Sequence, residues 1–186
     1  MLKRTLILCV LALTSSVSCA QQQSPPATPP AAVAAPTEVP AAAPAAAAPA
    51  GEAMTPVARA DAAAQGSLKN PYKDDDAAVV AAGNKLYFNY GCNGCHGGNG
   101  GGGMCPPLTN DTWVYGGDDD TLFRLVAYGS QILQSKGYSR KAQENVVGPM
   151  PQMGQVVKTD DDLWRILTFV RSNYHGAPEC KFGCKG

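Results

Sequence analysis

One short motif, Cys92-Asn93-Gly94-Cys95-His96, constrains this chain more than any other feature. Its two thiols lie on one helical turn, where each can add to a vinyl group of a single haem, and the histidine that follows can bind the iron. A thioredoxin-like dithiol would need alternating strands and helices, and the sequence has no strand pattern. A zinc site would need four ligands, and no second Cys/His pair is placed to supply them. A structural disulfide is the third alternative. The motif predicts one covalent c-type haem.

The N-terminal residues have the pattern of an export signal. Lys3 and Arg4 precede an apolar stretch at residues 6–13, and small residues follow, so we predict a signal peptide over 1–20 with cleavage after Ala20. Eight apolar residues cannot span a bilayer, which takes about twenty. The alternative is a lipidated N-terminus at Cys19, since Val17-Ser18-Cys19 resembles part of a bacterial lipobox. Both interpretations predict a periplasmic protein, and c-type haem is attached outside the cytoplasm.

Residues 21–66 are dominated by alanine and proline. Of these 46 residues 19 are Ala and 9 are Pro, and a segment with so few large apolar side chains cannot repay the entropy of ordering. We predict a disordered linker here, which either spaces the domain from a membrane anchor or simply keeps it soluble. No transmembrane helix is evident, so any membrane attachment would depend on a lipid at Cys19.

The remaining residues, 67–186, are predicted to form a single small domain. They contain few large apolar side chains, so a buried cofactor would supply much of the core. The chain has 15 basic and 15 acidic residues, and this balance argues against nucleic-acid binding, which favours a basic surface.

Three acidic triplets precede three apolar periodic segments. They are Asp74–Asp76, Asp118–Asp120 and Asp160–Asp162. Carboxylates at helix N-termini accept hydrogen bonds from free amides and interact well with the helix dipole. We therefore predict three helices that begin at these triplets. A shared docking or calcium-binding role is the alternative.

Together these features resemble the class I cytochrome c family over residues 77–174. The resemblance implies an all-α fold with three to four helices around one covalent haem. Gly83 and Tyr87 resemble the family's first-helix pair, with Phe169 or Trp164 as the aromatic of the crossing last helix. One extra residue, Gly91, precedes the motif and predicts a kink or an added turn.

The resemblance also implies roles for residues beyond the motif. In the family a proline carbonyl accepts the ring proton of the haem-binding histidine, which here assigns either Pro106 or Pro107, and we take Pro107 as the cofactor contact. An indole in the position of Trp113 often donates to a haem propionate, although a core role is equally compatible. Arg124 could pair with a propionate or lie on a solvated helix face.

The second iron ligand is predicted in the C-terminal half of the chain. Met150, followed by Pro151 in a Gly/Pro-rich loop, resembles the family's methionine ligand loop. Met153 is the runner-up, followed by His175 or an open iron position. Met104 lies too close in sequence to the histidine turn to reach the other haem face.

The cysteines outside the haem motif leave an odd number after processing. Cys105, Cys180 and Cys184 remain. Either Cys180 pairs with Cys184 in the C-terminal tail and Cys105 stays free, or Cys105 ties the tail to the domain. The first pairing is local and is favoured.

The segment 105–117 and the helix that ends at Ser172 further resemble the cytochrome c-L group. This resemblance implies an electron-transfer protein and not an enzyme. Its donor would be a PQQ-dependent alcohol or methanol dehydrogenase, and its acceptor another cytochrome or a terminal oxidase. The alternative is a membrane-tethered general cytochrome that delivers electrons to a terminal oxidase.

Overall fold

The structure, a computed structural model, describes residues 53–109, 113–143, 148–176 and Lys181. Within these residues the secondary structure is entirely helical, which confirms the expected all-α class. Five α-helices are present where three to four were expected: α1 (Pro56–Ala62), α2 (Ala77–Asn89), α3 (Cys92–His96), α4 (Asp119–Ser135) and α5 (Asp160–Ser172), with a 3₁₀ turn at Met153–Gln155. None of the helices in the described ranges is both long and apolar enough to cross a membrane.

The folded domain begins earlier than the sequence predicted. Helix α1 lies inside the stretch assigned to the linker, so the predicted boundary at residue 66 is wrong. The Thr55 side chain accepts a hydrogen bond from an amide of the first turn, Pro56 occupies that turn, and Ala60 is fully buried. The helix packs against α4 and α5. The tertiary contacts of its alanines therefore compensate for the conformational entropy that the helix loses on ordering. Composition alone does not reveal such contacts.

Helices α2 and α5 cross at Gly83 and make the most extensive helix contact of the domain. A Cβ built on Gly83 would lie 2.0 Å from the Arg165 carbonyl oxygen, so only glycine allows this approach. One turn later the ring centroids of Tyr87 and Phe169 are 5.2 Å apart. Trp164 instead packs against Phe123 at 4.4 Å. Phe169 is therefore the crossing aromatic of the two residues that the sequence offered.

The acidic triplets begin helices as predicted, with one difference. Asp76 and Asp118 accept hydrogen bonds from first-turn amides of α2 and α4. Helix α5 is capped by Thr159 in place of an aspartate. Between α2 and α3, Gly91 has the left-handed conformation, which is the expected change of direction before the haem motif.

Carboxylates of the second and third triplets also pair with arginines of the domain. These pairs are Asp119–Arg171, Asp120–Arg124, Asp160–Arg59 and Asp161–Arg165. No group of three metal-binding side chains occurs in the part of the chain that the structure describes, so the calcium alternative gains no support there. The first two triplets therefore cap helices, and the second and third pair with arginines.

Replacing Gly83 with alanine should separate α2 from α5. We expect Gly83→Ala to lower the free energy of unfolding by about 3 kcal/mol, because the new methyl group overlaps a backbone carbonyl that cannot move alone. Denaturant unfolding of the haem-loaded protein measures this. Gly101→Ala is the matched control, since a Cβ there meets nothing within 4 Å. Equal stability of the two variants would contradict the close crossing.

Candidate functional site

His96 is the last residue of the short helix α3 and lies half-buried beside a proline turn. Its Nδ1 atom is 2.9 Å from the Pro106 carbonyl oxygen. A carbonyl only accepts hydrogen bonds, so Nδ1 carries the proton and Nε2 keeps its lone pair. Burial lowers the pKa of His96, and the hydrogen bond to Pro106 partly offsets this effect. The neutral ring with a free Nε2 is the form that binds a metal.

The glycine-rich loop after α3 folds back onto that helix and brings Pro106 to the histidine. Gly102 N–H donates to the His96 carbonyl at 2.8 Å, and Cys105 N–H donates to the Cys95 carbonyl at 3.1 Å. Tyr87 of α2 donates its hydroxyl to the Gly97 carbonyl at 2.7 Å. The loop thus satisfies carbonyls at the end of α3 and fixes the histidine ring from outside the helix.

A cavity opens between α3, α4 and α5. His96, Cys92 and Met150 all line it. The aliphatic side chains of the lining are Leu108, Val114, Leu122, Leu125, Val126, Ile166, Leu167 and Val170, and prolines and aromatic residues add to the apolar surface. Cys95 is half-buried on the same helix as Cys92 but is not among the lining residues. Burial raises the pKa of the Cys92 thiol to about 11, so this thiol is neutral at physiological pH.

Met150 is positioned by a break in helix α4. Gly129 interrupts this helix with φ 74° and ψ 165°. The break lets Ser130 N–H donate to the Met150 carbonyl at 3.0 Å, while Met150 N–H donates to Ser130 Oγ at 3.0 Å. A Cβ on Gly129 would lie 2.6 Å from the Met150 carbonyl oxygen. The kink and the reciprocal hydrogen bonds therefore hold the Met150 backbone directly against α4.

The other ligand candidates lie elsewhere. Met153 begins the 3₁₀ turn and packs against the core without lining the cavity. Met104 is 72% exposed. His175 is exposed, and its backbone amide bonds to the Thr109 carbonyl. Among the described residues only Met150 therefore joins His96 at the cavity as a sulfur or imidazole donor outside the haem motif.

Of the other expected cofactor contacts, Pro107 and Trp113 line the cavity and Arg124 does not. The carbonyl that meets His96 belongs to Pro106, the other of the two prolines that the sequence offered. The indole N–H of Trp113 donates to the Leu108 carbonyl at 2.9 Å, and a contact of Trp113 with a haem propionate stays a prediction. Arg124 is neither solvated nor at the cavity. It is 5% exposed and bonds to Asp120 and to backbone carbonyls after α1.

The disulfide and lipidation hypotheses concern residues outside the described part of the chain, since Cys19, Cys180 and Cys184 all lie there. Cys105 is half-buried and forms no disulfide with another cysteine of the described residues. Burial raises its pKa, and a hydrogen bond with Cys95 acts in the same direction. Both pairings of the C-terminal cysteines therefore stay predictions.

Residues 80–173 match the family model described as Cytochrome c, which is half of the chain. The chain belongs to the cytochrome c family. Proteins of this family are electron carriers with covalently bound haem c. Among solved structures the chain is similar to cytochrome CL from the marine methylotrophic bacterium Methylophaga aminisulfidivorans MPT. That match has 26% identity and a TM-score of 0.42, and it covers 58% of this chain and 61% of that chain. No curated protein matches.

The side chains present fit the haem c that the cytochrome c family implies. The donor set is a neutral imidazole with its lone pair exposed, a thioether sulfur and two thiols on one turn, which suits haem iron and its vinyl groups. The apolar lining suits a porphyrin ring. Apart from His96, Arg140 is the one titratable cation among the lining residues, and it is placed to meet an anionic group at this cavity.

Sequence reasoning missed the residues that support Met150. Gly129 and Ser130 lie inside a segment with a continuous helical pattern. An isolated glycine in such a segment is expected to lower helix stability without ending the helix. Arg140 follows α4 in a segment without a motif. The one available signal was Gly129 itself, because a glycine within a helix frequently marks a close backbone approach.

Gly129→Ala should disturb the Met150 segment specifically. We expect it to lower the free energy of unfolding by about 2 kcal/mol more than Gly137→Ala does. Both glycines have positive φ, at 74° and 90°, so both variants carry the strain of an alanine at positive φ. Only at Gly129 would the methyl group also meet the backbone of residues 150–152. Denaturant unfolding compares them, and equal losses would contradict this packing.

Proposed function

We propose that this cytochrome c is a single-electron carrier with one haem c, which Cys92 and Cys95 would hold covalently and whose iron His96 and Met150 would bind. The observation that carries the proposal is that His96 and Met150 line the same apolar cavity from separate segments, each fixed by hydrogen bonds. With both residues bound to the iron, a haem at this site would have no open position for a substrate. The site therefore suits electron transfer better than ligand activation.

Each residue contributes to the carrier role in a specific way. The haem iron supplies the one-electron couple. Pro106 fixes the ring orientation of His96 through the Nδ1 hydrogen bond, which also increases the basicity of Nε2. The apolar side chains of α4 and α5 exclude water from the cavity. A methionine sulfur as second ligand raises the reduction potential relative to a second histidine. The protein would thus accept electrons from a moderately reducing donor.

For the donor we propose a PQQ-dependent alcohol dehydrogenase of the periplasm. The support is the resemblance of residues 105–117 to the cytochrome c-L group and the export signal at residues 1–20. The acceptor would be another cytochrome or a terminal oxidase. A lipid at Cys19 would hold the carrier at the membrane, whereas cleavage after Ala20 would leave it free in the periplasm.

Met150→Ala should remove the sulfur ligand. We expect the ferric protein to lose the charge-transfer absorption band of sulfur-bound haem, and the ferrous protein to gain carbon monoxide binding. The reduction potential should fall, because a soft thioether sulfur favours ferrous iron, whereas the water that replaces it is a hard ligand that favours the ferric state. Absorption spectroscopy and potentiometric titration measure these changes.

Met153→Ala is the matched control for this experiment. Met153 packs against the core and does not line the cavity, so its loss should cost stability without changing the band. If Met153→Ala loses the band and Met150→Ala keeps it, the assignment of the axial ligand is wrong.

Stopped-flow reduction tests the donor. The oxidised, haem-loaded protein is mixed with a PQQ-dependent alcohol dehydrogenase from the same organism in the presence of its alcohol. We expect fast reduction whose rate saturates with cytochrome concentration and decreases with rising ionic strength if charged side chains guide the encounter. Enzyme without alcohol is the control. No reduction, together with ready oxidation by membranes that contain a terminal oxidase, would favour the tethered general carrier.

A further inference from the structure

Helix α1 lies outside the part of the chain that matches the cytochrome c family model, yet it is fixed firmly to the domain. Three interactions with Asp160 hold the N-terminal part of α1 and Met54 just before it. Arg59 Nε is 2.6 Å from Asp160 Oδ2, Asp160 N–H donates to the Met54 carbonyl at 2.7 Å, and Met54 N–H donates to Asp160 Oδ1 at 3.3 Å. The start of α5 thus anchors the start of α1.

The C-terminal end of α1 is held by a buried arginine of α4. Arg124 donates to the carbonyls of Ala60, Ala63 and Ala64 at 2.6, 2.9 and 3.0 Å. These carbonyls lie at the end of the helix and just after it, where they lack helical partners and where the helix dipole favours a cation. Arg124 is held in turn by Asp120, 2.9 Å from its Nε. Both ends of this seven-residue helix are therefore fixed by charged partners.

Between these two ends α1 contacts the segment that follows Met150. Gly154 lies buried in the 3₁₀ turn, and a Cβ there would be 2.9 Å from Val57 Cγ2 and 2.6 Å from the Ala127 carbonyl oxygen. The 3₁₀ turn is thus closely confined between α1 and α4. Tyr128, next to the kink in α4, donates its hydroxyl to Asp61 at 2.8 Å. Two residues of the same turn of α4 therefore face these neighbours: Tyr128 contacts α1, and Ser130 contacts the Met150 backbone.

From this arrangement we infer that α1 is a positioning element for the distal iron ligand: it holds the segment 150–155 against the kinked α4 and so keeps Met150 at the cavity. Few hydrogen bonds fix this segment otherwise. Among the described residues they are the two bonds between Met150 and Ser130, those from Val156 and Val157 to the Met153 carbonyl, and the bond from Gln155 Nε2 to Gln152 Oε1. The inference rests on the proposed ligation of iron by Met150, and it makes the strength of that ligation depend on residues about 90 positions earlier in the chain.

The test undocks α1 in the full-length, haem-loaded protein without altering the cavity. Ala60→Asp places a carboxylate at a fully buried position of α1, and the cost of burying an unpaired charge should release the helix. We expect a weaker sulfur charge-transfer band in the ferric state and an approximately tenfold faster association of carbon monoxide in the ferrous state, within the usual range of coupling between two sites. Faster tryptic cleavage after Arg59 reports the release.

Ala58→Asp is the matched control, because Ala58 is exposed on the same helix and gives the same change in charge. It should leave the band, carbon monoxide binding and tryptic resistance as in the wild type. Val57→Ala is a second, milder variant that shortens only the side chain against Gly154, and it should change the band and the carbon monoxide rate in the same direction by a smaller factor.

Each result either supports or overturns the inference. A change confined to Ala60→Asp and Val57→Ala supports it, since a merely structural helix would alter stability without altering the iron ligand. If both variants keep the wild-type band and carbon monoxide rate, α1 does not position Met150. If Ala60→Asp fails to bind haem, Val57→Ala decides alone. Met150→Ala in the same series separates this inference from the proposed function. If the wild type already shows the band and carbon monoxide rate of Met150→Ala, Met150 does not bind the iron, and the inference fails with the proposed ligation.

Discussion

The close crossing of α2 and α5 at Gly83 is the packing constraint on which the haem site depends. With no side chain at this position, the backbone of α2 rests on the Arg165 carbonyl, and the Tyr87 and Phe169 rings close the contact one turn further. Tyr87 then reaches the Gly97 carbonyl with its hydroxyl, so the crossing also fixes the residue that follows α3. The orientation of His96 is thus set by helix packing as well as by its own hydrogen bond to Pro106.

Buried arginines make a second set of long-range connections. Arg124 joins α4 to the end of α1, and Arg171 of α5 bonds to Asp119 and to the Gly117 carbonyl. Each lies where a carboxylate and backbone carbonyls meet, so its charge is compensated. Hydrogen bonds from Tyr138 and Arg124 hold the pKa of Asp120 below its usual value although burial acts in the opposite direction. The two arginines thus connect segments that are distant in the sequence.

The sequence was sufficient for features whose signal is local. The haem motif identified His96, the acidic triplets marked three helix starts, and the loop pattern led to Met150 as the ligand candidate. It was insufficient where the decisive partner is distant in the sequence or is a backbone carbonyl. Helix α1 has the composition of a linker, and its stabilising partner Asp160 lies 101 positions from Arg59. Arg124 was expected to be solvated because the helix that covers it, α1, was not predicted. For Trp113 the competing acceptor was a backbone carbonyl only five positions away, which no residue pattern reveals.

The histidine side of the cavity is held by more hydrogen bonds and regular structure than the methionine side. On the histidine side the ligand belongs to a helix that also carries both haem thiols, and the returning loop supplies three further hydrogen bonds around it. On the methionine side the candidate ligand lies in a segment without regular structure, held by one kink in α4 and by neighbours outside the family domain. A local opening of the site should therefore begin on the methionine side, since the free energy of local opening falls where fewer buried contacts and hydrogen bonds must be broken. If iron is bound as proposed, the stability of α1 docking would then contribute to the reduction potential, because loss of the Met150 sulfur would leave water as the iron ligand.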